Sequence, residues 1–146
     1  MEKGIIEVIN HQSLYNEGEE DEIKLFTVGE YEYTPEKTTL KYIENMGSNA
    51  ENKTEAILIF ENSEAVLMRS GEFNSMMVFK EGHEYRNDYN TPYGVLDFNV
   101  LAKRIECNFS EEEGSAEIEY ILSGEGMPDI SNCIMIKYKK DCQNEN

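Results

Sequence analysis

Short runs of β-branched and aromatic residues alternate with polar ones along the whole chain, and clusters of Gly, Asn, Asp, Ser or Glu interrupt them every 8 to 12 residues. Alternation with period two places one set of side chains on each face of a strand. Punctuation at this spacing is the mark of an antiparallel all-β meander. The pattern predicts about ten strands in a single domain over residues 1–146. The first covers 4–14. The second covers 21–33, with Ile23, Leu25, Thr27, Tyr31 and Tyr33 on one parity against Lys24, Glu30 and Glu32. Residues 37–45 and 53–61 follow, the latter apolar on both parities at Ala56-Ile57-Leu58-Ile59-Phe60, which predicts a strand covered on both faces. Tight turns separate 65–71, 75–80 and 83–89. Later, Ala116, Ile118, Tyr120 and Leu122 share one parity, as do Ile134, Ile136 and Tyr138 in 131–140. Residues 141–146 read as a frayed tail.

One segment stays open on periodicity. Val95, Phe98, Leu101, Ile105 and Phe109 recur at spacings of three or four, as a helix face does. The same residues also read as two strands, 95–100 and 103–109, the second alternating Ile105, Cys107 and Phe109 against Arg104, Glu106 and Asn108. A sheet of so many short strands twists, and closing it into a barrel removes edges that would template aggregation.

Charge narrows the partners. Thirty acidic and 13 basic side chains give a formal charge of −17, which works against binding to polyanionic nucleic acids and to anionic membrane surfaces. The imbalance is local. Residues 1–64 sum to −10, 65–104 to zero and 105–146 to −7. Cys107, Cys133 and Cys142 form neither an even set nor a CxxC pair, which predicts a reducing compartment and no thiolate metal site. With no secretory leader or long apolar run in the sequence, the expected location is cytoplasmic.

The segments Leu67-Met68-Arg69-Ser70-Gly71, Met77-Val78-Phe79, Tyr89-Asn90-Thr91-Pro92-Tyr93-Gly94 and Asn108-Phe109-Ser110-Glu111-Glu112-Glu113-Gly114 resemble a bacterial family of unknown function, DUF1934. The similarity reaches outward to Glu19-Glu20-Asp21-Glu22-Ile23. It implies a calycin-like β-barrel of about eight to ten strands, similar in shape to lipocalins and fatty-acid-binding proteins, and strands rather than a helix after Gly94. It implies no activity. The chain has no Trp, hence no Gly-x-Trp signature, and carries Lys53-Thr54-Glu55 where the family tends to a run of Thr. Ligand binding by analogy with lipocalins therefore rests on the fold alone.

Candidate sites come from parity. Arg69 shares the parity of Leu67, so its guanidinium is expected inside the barrel, where it either holds a ligand anion or pairs with a carboxylate of the barrel itself. His83, Tyr85, Asn87, Tyr89 and Thr91 share one face of their strand, with Tyr93 after it. Such a stripe is either the wall of a partly wet cavity or a solvent-facing ladder. Lys80, Arg86, Lys103 and Arg104 complete the positive charges of the neutral segment; they form an electropositive mouth or simply balance nearby acids. Glu17-Gly18-Glu19-Glu20-Asp21-Glu22 lacks the ligand spacing of a calcium loop and reads as a solvated turn. Cys107 reads as a small core residue.

With two histidines and no Gly-x-Ser-x-Gly, HExxH or phosphate loop, no catalytic role, cofactor or metal is expected. The sequence thus predicts a non-catalytic barrel that takes a small amphipathic or anionic ligand in its interior or mouth. The rival reading is an interaction module whose acidic surface docks a basic partner or supports a homodimer.

Overall fold

A computed structural model describes residues 1–14, 20–45, 53–71, 74–91 and 94–141. They form ten strands: β1 (Glu2–Leu14), β2 (Glu20–Tyr33), β3 (Lys37–Asn45), β4 (Lys53–Glu61), β5 (Glu64–Gly71), β6 (Ser75–Lys80), β7 (Glu84–Thr91), β8 (Gly94–Phe109), β9 (Glu113–Gly124) and β10 (Met127–Lys140). All belong to one antiparallel sheet, ordered β6-β5-β4-β3-β2-β1-β10-β9-β8-β7. The sheet curls until its edge strands β6 and β7 meet, so the barrel is nearly closed. Among the described residues no helix is long and apolar enough to cross a membrane.

Local sequence sets the strand boundaries. Asn62 and Ser63 both take positive φ (53° and 64°), the geometry that lets a two-residue turn follow the right-handed twist from β4 into β5. The parities that group Ala116, Ile118 and Tyr120 in β9 and Ile134, Ile136 and Tyr138 in β10 face inward. Ile6, Leu40, Leu58, Phe79, Val100 and Ile118 are all at most 1% exposed. Removing each such side chain from water contributes about 1.5–3 kcal/mol. Outside, β4 departs from expectation: its burial alternates, with Ile57 and Ile59 only half-buried, because nothing covers the outer surface of a single-layered barrel.

The ambiguous segment is neither a helix nor two strands. β8 runs unbroken over sixteen residues, with a bulge between Ala102 and Arg104 that resets its register against β9. The residues at helical spacing do not share a face: Val95 is 61% exposed and Leu101 lies between the fully buried Val100 and Ala102. Cys107 is also corrected: it is exposed, not core. β7 pairs with β8 only as far as Leu101, so the edge of β8 beyond it has no ladder partner among the described residues. Two substitute bonds hold that edge: Gly82 N donates to Ala102 O (2.9 Å) and Ile105 N to Glu81 Oε1 (2.7 Å). Burial still pushes the Cys107 thiol up to about 11.

The β8–β9 turn plugs one end of the barrel. Tyr31 Oη donates to Glu111 O and Tyr138 Oη to Ser110 O, each at 2.6 Å, and the two rings stack with centroids 4.4 Å apart. Phe109 fills the space between Tyr138 and Phe60. The other end is looser. β2 pairs with β1 from Glu20 to Tyr31 but with β3 only over residues 30–33. Gly29 sits where the two neighbours part. A Cβ there would lie 2.4 Å from Lys41 O and 2.6 Å from Ile6 Cδ1, closer than real atoms approach.

Gly29→Ala therefore forces β2 and β3 apart and is expected to cost about 2 kcal/mol or more. Urea unfolding followed by circular dichroism measures it. A midpoint unchanged from wild type would show that the close approach is not structural.

Candidate functional site

Four inward rows of side chains lead from the plugged end to the open one. Thr38, Phe60, Ala65 and Phe79 form the first, then Leu40, Leu58, Leu67 and Met77, then Tyr42, Ala56, Arg69 and Ser75, and finally Glu44, Thr54 and Gly71. Apolar residues fill the lower two almost completely. Above them a cavity of about 170 Å³ remains, walled by Val8, Leu25, Leu58, Leu67, Ile118 and Ile134. Its polar end is made by Asn10, Tyr42, Glu44 and Arg69. Ile23, on its rim, is 61% exposed, so among the described residues the interior meets solvent where β2 has left β3.

Arg69 points inward, as its parity predicts, and its partner belongs to the barrel. Its Nε donates to Glu44 Oε1 at 2.9 Å, and Nη1 lies 3.9 Å from Met77 Sδ. Burial alone would lower the guanidinium pKa; the charge and hydrogen bond of Glu44 reverse this and hold it above its ordinary value. Burial, then the neighbouring Glu44 charge, push the Tyr42 hydroxyl well up. Burial likewise pushes Tyr120 up to about 12. At neutral pH the pocket end thus holds one ion pair and neutral phenols. It suits an apolar body with a polar head, and the fixed positive charge is already matched.

The stripe on β7 is only partly visible. His83 lies before the strand and is exposed. Tyr85 is half-buried opposite Val100, and Asn87 is 6% exposed opposite Phe98, its Nδ2 donating to Tyr85 O at 3.3 Å. Neither lines the cavity. Tyr89 and Thr91 continue the ladder, opposite Leu96 and Gly94. Tyr93 lies outside the described residues, as does Glu17-Gly18-Glu19 of the acidic turn.

The remaining cations gather no mouth. Lys80 pairs with Glu64 (3.5 Å) and Arg86 with Asp97 (3.2 Å) at the surface. Lys103 is exposed beside Glu119. Arg104 holds Glu106, Glu117 and Glu119 at 2.8, 2.6 and 2.9 Å. Cys133 Sγ adds a contact to Glu117 Oε1 at 3.4 Å. Glu117, Glu119 and Cys133 bring ligand atoms within 4.8 Å of one another, but both carboxylates are engaged by Arg104, so the cluster is an ion-pair network.

Sequence reasoning missed Glu44, Asn10 and Tyr42. The available signal was parity: Glu44 follows Leu40 and Tyr42 at steps of two, so a charge sits on an inward face. Two wider depressions, of about 540 and 640 Å³, lie around Phe26 and around Cys107, the second reaching the inward side chains of Phe60, Ile105 and Phe109. Both are more open than the interior cavity.

Residues 6–136 match the model of a family described as Domain of unknown function (DUF1934). A solved structure, the crystal structure of ywiB protein from Bacillus subtilis, superposes with a TM-score of 0.82 at 22% identity, over 96% of this chain and 92% of that one. Likeness at this identity is a likeness of fold. No curated protein matches the chain.

If the Arg69–Glu44 pair is a buried unit, Arg69→Met leaves Glu44 uncompensated and destabilises by about 3–5 kcal/mol. Adding Glu44→Leu restores most of that loss, since an apolar pair of similar volume needs no solvation. A double-mutant cycle in urea reads the coupling. Additive losses would show that the two side chains do not depend on each other.

Proposed function

The chain belongs to the DUF1934 family, and from that membership and the barrel we propose that it is a non-catalytic binding protein whose interior takes a small amphipathic molecule. The observation that carries this reading is the interior cavity of about 170 Å³ between an apolar wall and the Arg69–Glu44 pair. Apolar walls with a few convergent polar groups are the usual make-up of ligand sites. The volume is below the roughly 300 Å³ at which drug-sized pockets begin, so the occupant is short. Of the two roles open to Arg69, anchoring an anion or pairing with a carboxylate of the barrel, the structure has the second. With Glu44 at 2.9 Å, Arg69 presents half of a neutral pair. The unpaired thiols of Cys107 and Cys133 support a cytoplasmic setting.

A second reading has its own support. Phe26 and Val28 on β2 are 70% and 59% exposed, beside the edge of residues 20–29 that has no ladder partner among the described residues. An unpaired edge with apolar flanks suits an added strand from a second chain, the homodimer or partner interface of the rival reading.

Ligand-detected NMR with n-hexanol tests the first. Saturable binding to the wild-type protein is expected, with loss of at least about tenfold in Leu67→Trp, whose ring fills the cavity. Equal binding to both proteins would remove the interior from consideration.

A further inference from the structure

Resting on this interior-binding reading, we propose that the polar end of the cavity receives a hydrogen-bond-donating cation, a primary ammonium on a short aliphatic body, in preference to an anion. Four buried side-chain oxygens have no hydrogen-bond partner among the described residues: Asn10 Oδ1, Thr54 Oγ1, Ser75 Oγ and Asn132 Oδ1. All four fall at inward register positions towards the open end. Asn10 lines the cavity itself. Thr54, opposite Glu44, Ser75, opposite Arg69, and Asn132, opposite Gln12, do not line it, and Asn132 borders a separate cleft of about 220 Å³. Thr54 is 0% and Asn132 4% exposed, so these are not groups that bulk water satisfies. The Asn132 amide orientation is fixed, because its Nδ2 donates to Ile130 O at 3.1 Å and leaves the carbonyl oxygen free.

The acceptors at this end favour a donor. A buried polar group left unmatched is costly, so a ligand that matches one gains correspondingly. Asn10 Oδ1, which lines the cavity, is an amide carbonyl and only accepts. Glu44 spends Oε1 on Arg69 and offers its second oxygen. Arg69 has given Nε to Glu44 and keeps further N–H donors, which makes an anion the competing occupant. An incoming carboxylate would compete with Glu44 for the guanidinium and sit beside it as a like charge. An ammonium brings three donors and no acceptor, and extends the pair into an Arg69–Glu44–ammonium series of alternating charge. The formal charge of −17 further enriches cations near the barrel. At interior packing density, about 0.74, a 170 Å³ space holds roughly 125 Å³ of ligand, about seven heavy atoms.

The test uses the full chain at neutral pH and low salt, titrated calorimetrically with n-hexylammonium, n-hexanol and n-hexanoate. We expect hexylammonium to bind at least about tenfold more tightly than hexanol, and hexanoate more weakly than both. Glu44→Gln is expected to remove at least about tenfold of the ammonium affinity while changing that for hexanol by less than about threefold. Because Glu44→Gln also disturbs Arg69, Asn10→Leu serves as a second variant, checked for native circular dichroism and expected to lose the preference for ammonium. Hexanoate binding as tightly as hexylammonium would overturn the inference and leave interior binding standing. Retention of hexylammonium binding in Leu67→Trp would overturn it too, by placing the cation on the acidic surface. Failure of all three probes to saturate at about 10 mM would overturn both readings.

Discussion

Every backbone N–H and C=O inside a sheet must find a partner, and unequal strand lengths decide where this barrel meets or misses that demand. β8 has sixteen residues and β7 eight; β2 has fourteen and β3 nine. Wherever a long strand outruns its neighbour, a stretch of edge is left over. At β8 the surplus is tied down by Glu81 and the Gly82 amide, and the turn that follows is clamped by two tyrosine hydroxyls. At β2 the surplus is not paired among the described residues. One end of the molecule is therefore sealed and the other accessible, and the cavity lies on the accessible side.

The Arg69–Glu44 pair explains why that side was not simply filled with aliphatic residues. The two side chains, 21% and 15% exposed, each supply the other's counter-ion. Such a pair adds little net stability over an apolar replacement. What it does is keep a polar, ordered surface at the boundary between a dry lower core and a wetter upper interior. Burial suppresses ionisation of Tyr42 and Tyr120 on either side of the pair, against the opposing pull of the Arg69 charge.

Much of this was legible in the residues. Strand parity placed Leu25, Leu67, Ile118 and Ile134 inside and turned Arg69 towards them, because period two is fixed by the backbone and does not depend on long-range contacts. The partner of Arg69 was not legible. Glu44 lies on another strand, and only the register of β3 to β4 and of β4 to β5 brings the two together. The bulge in β8 was hidden for a similar reason: one extra residue is recognised only against the straight partner β9. Cys107 was misjudged because parity tells which way a side chain points, not whether a neighbouring strand is long enough to cover it.

The pairing of β1 with both β2 and β10 has a consequence for the order of assembly. Eleven consecutive positions of β1, from Gly4 to Leu14, are matched to β10. As the chain leaves the ribosome, β1 through β6 can build their hairpins in turn, yet β1 keeps one edge bare until β10 arrives. The apolar inner face of that half-sheet cannot be enclosed before synthesis of the last strand. Contacts of such sequence separation are slow to form, and nascent chains with open edges are prone to pair with one another. The barrel is thus built by its neighbours in sequence and completed by the two strands farthest apart in it, and the interval between those events is when a chaperone would matter most.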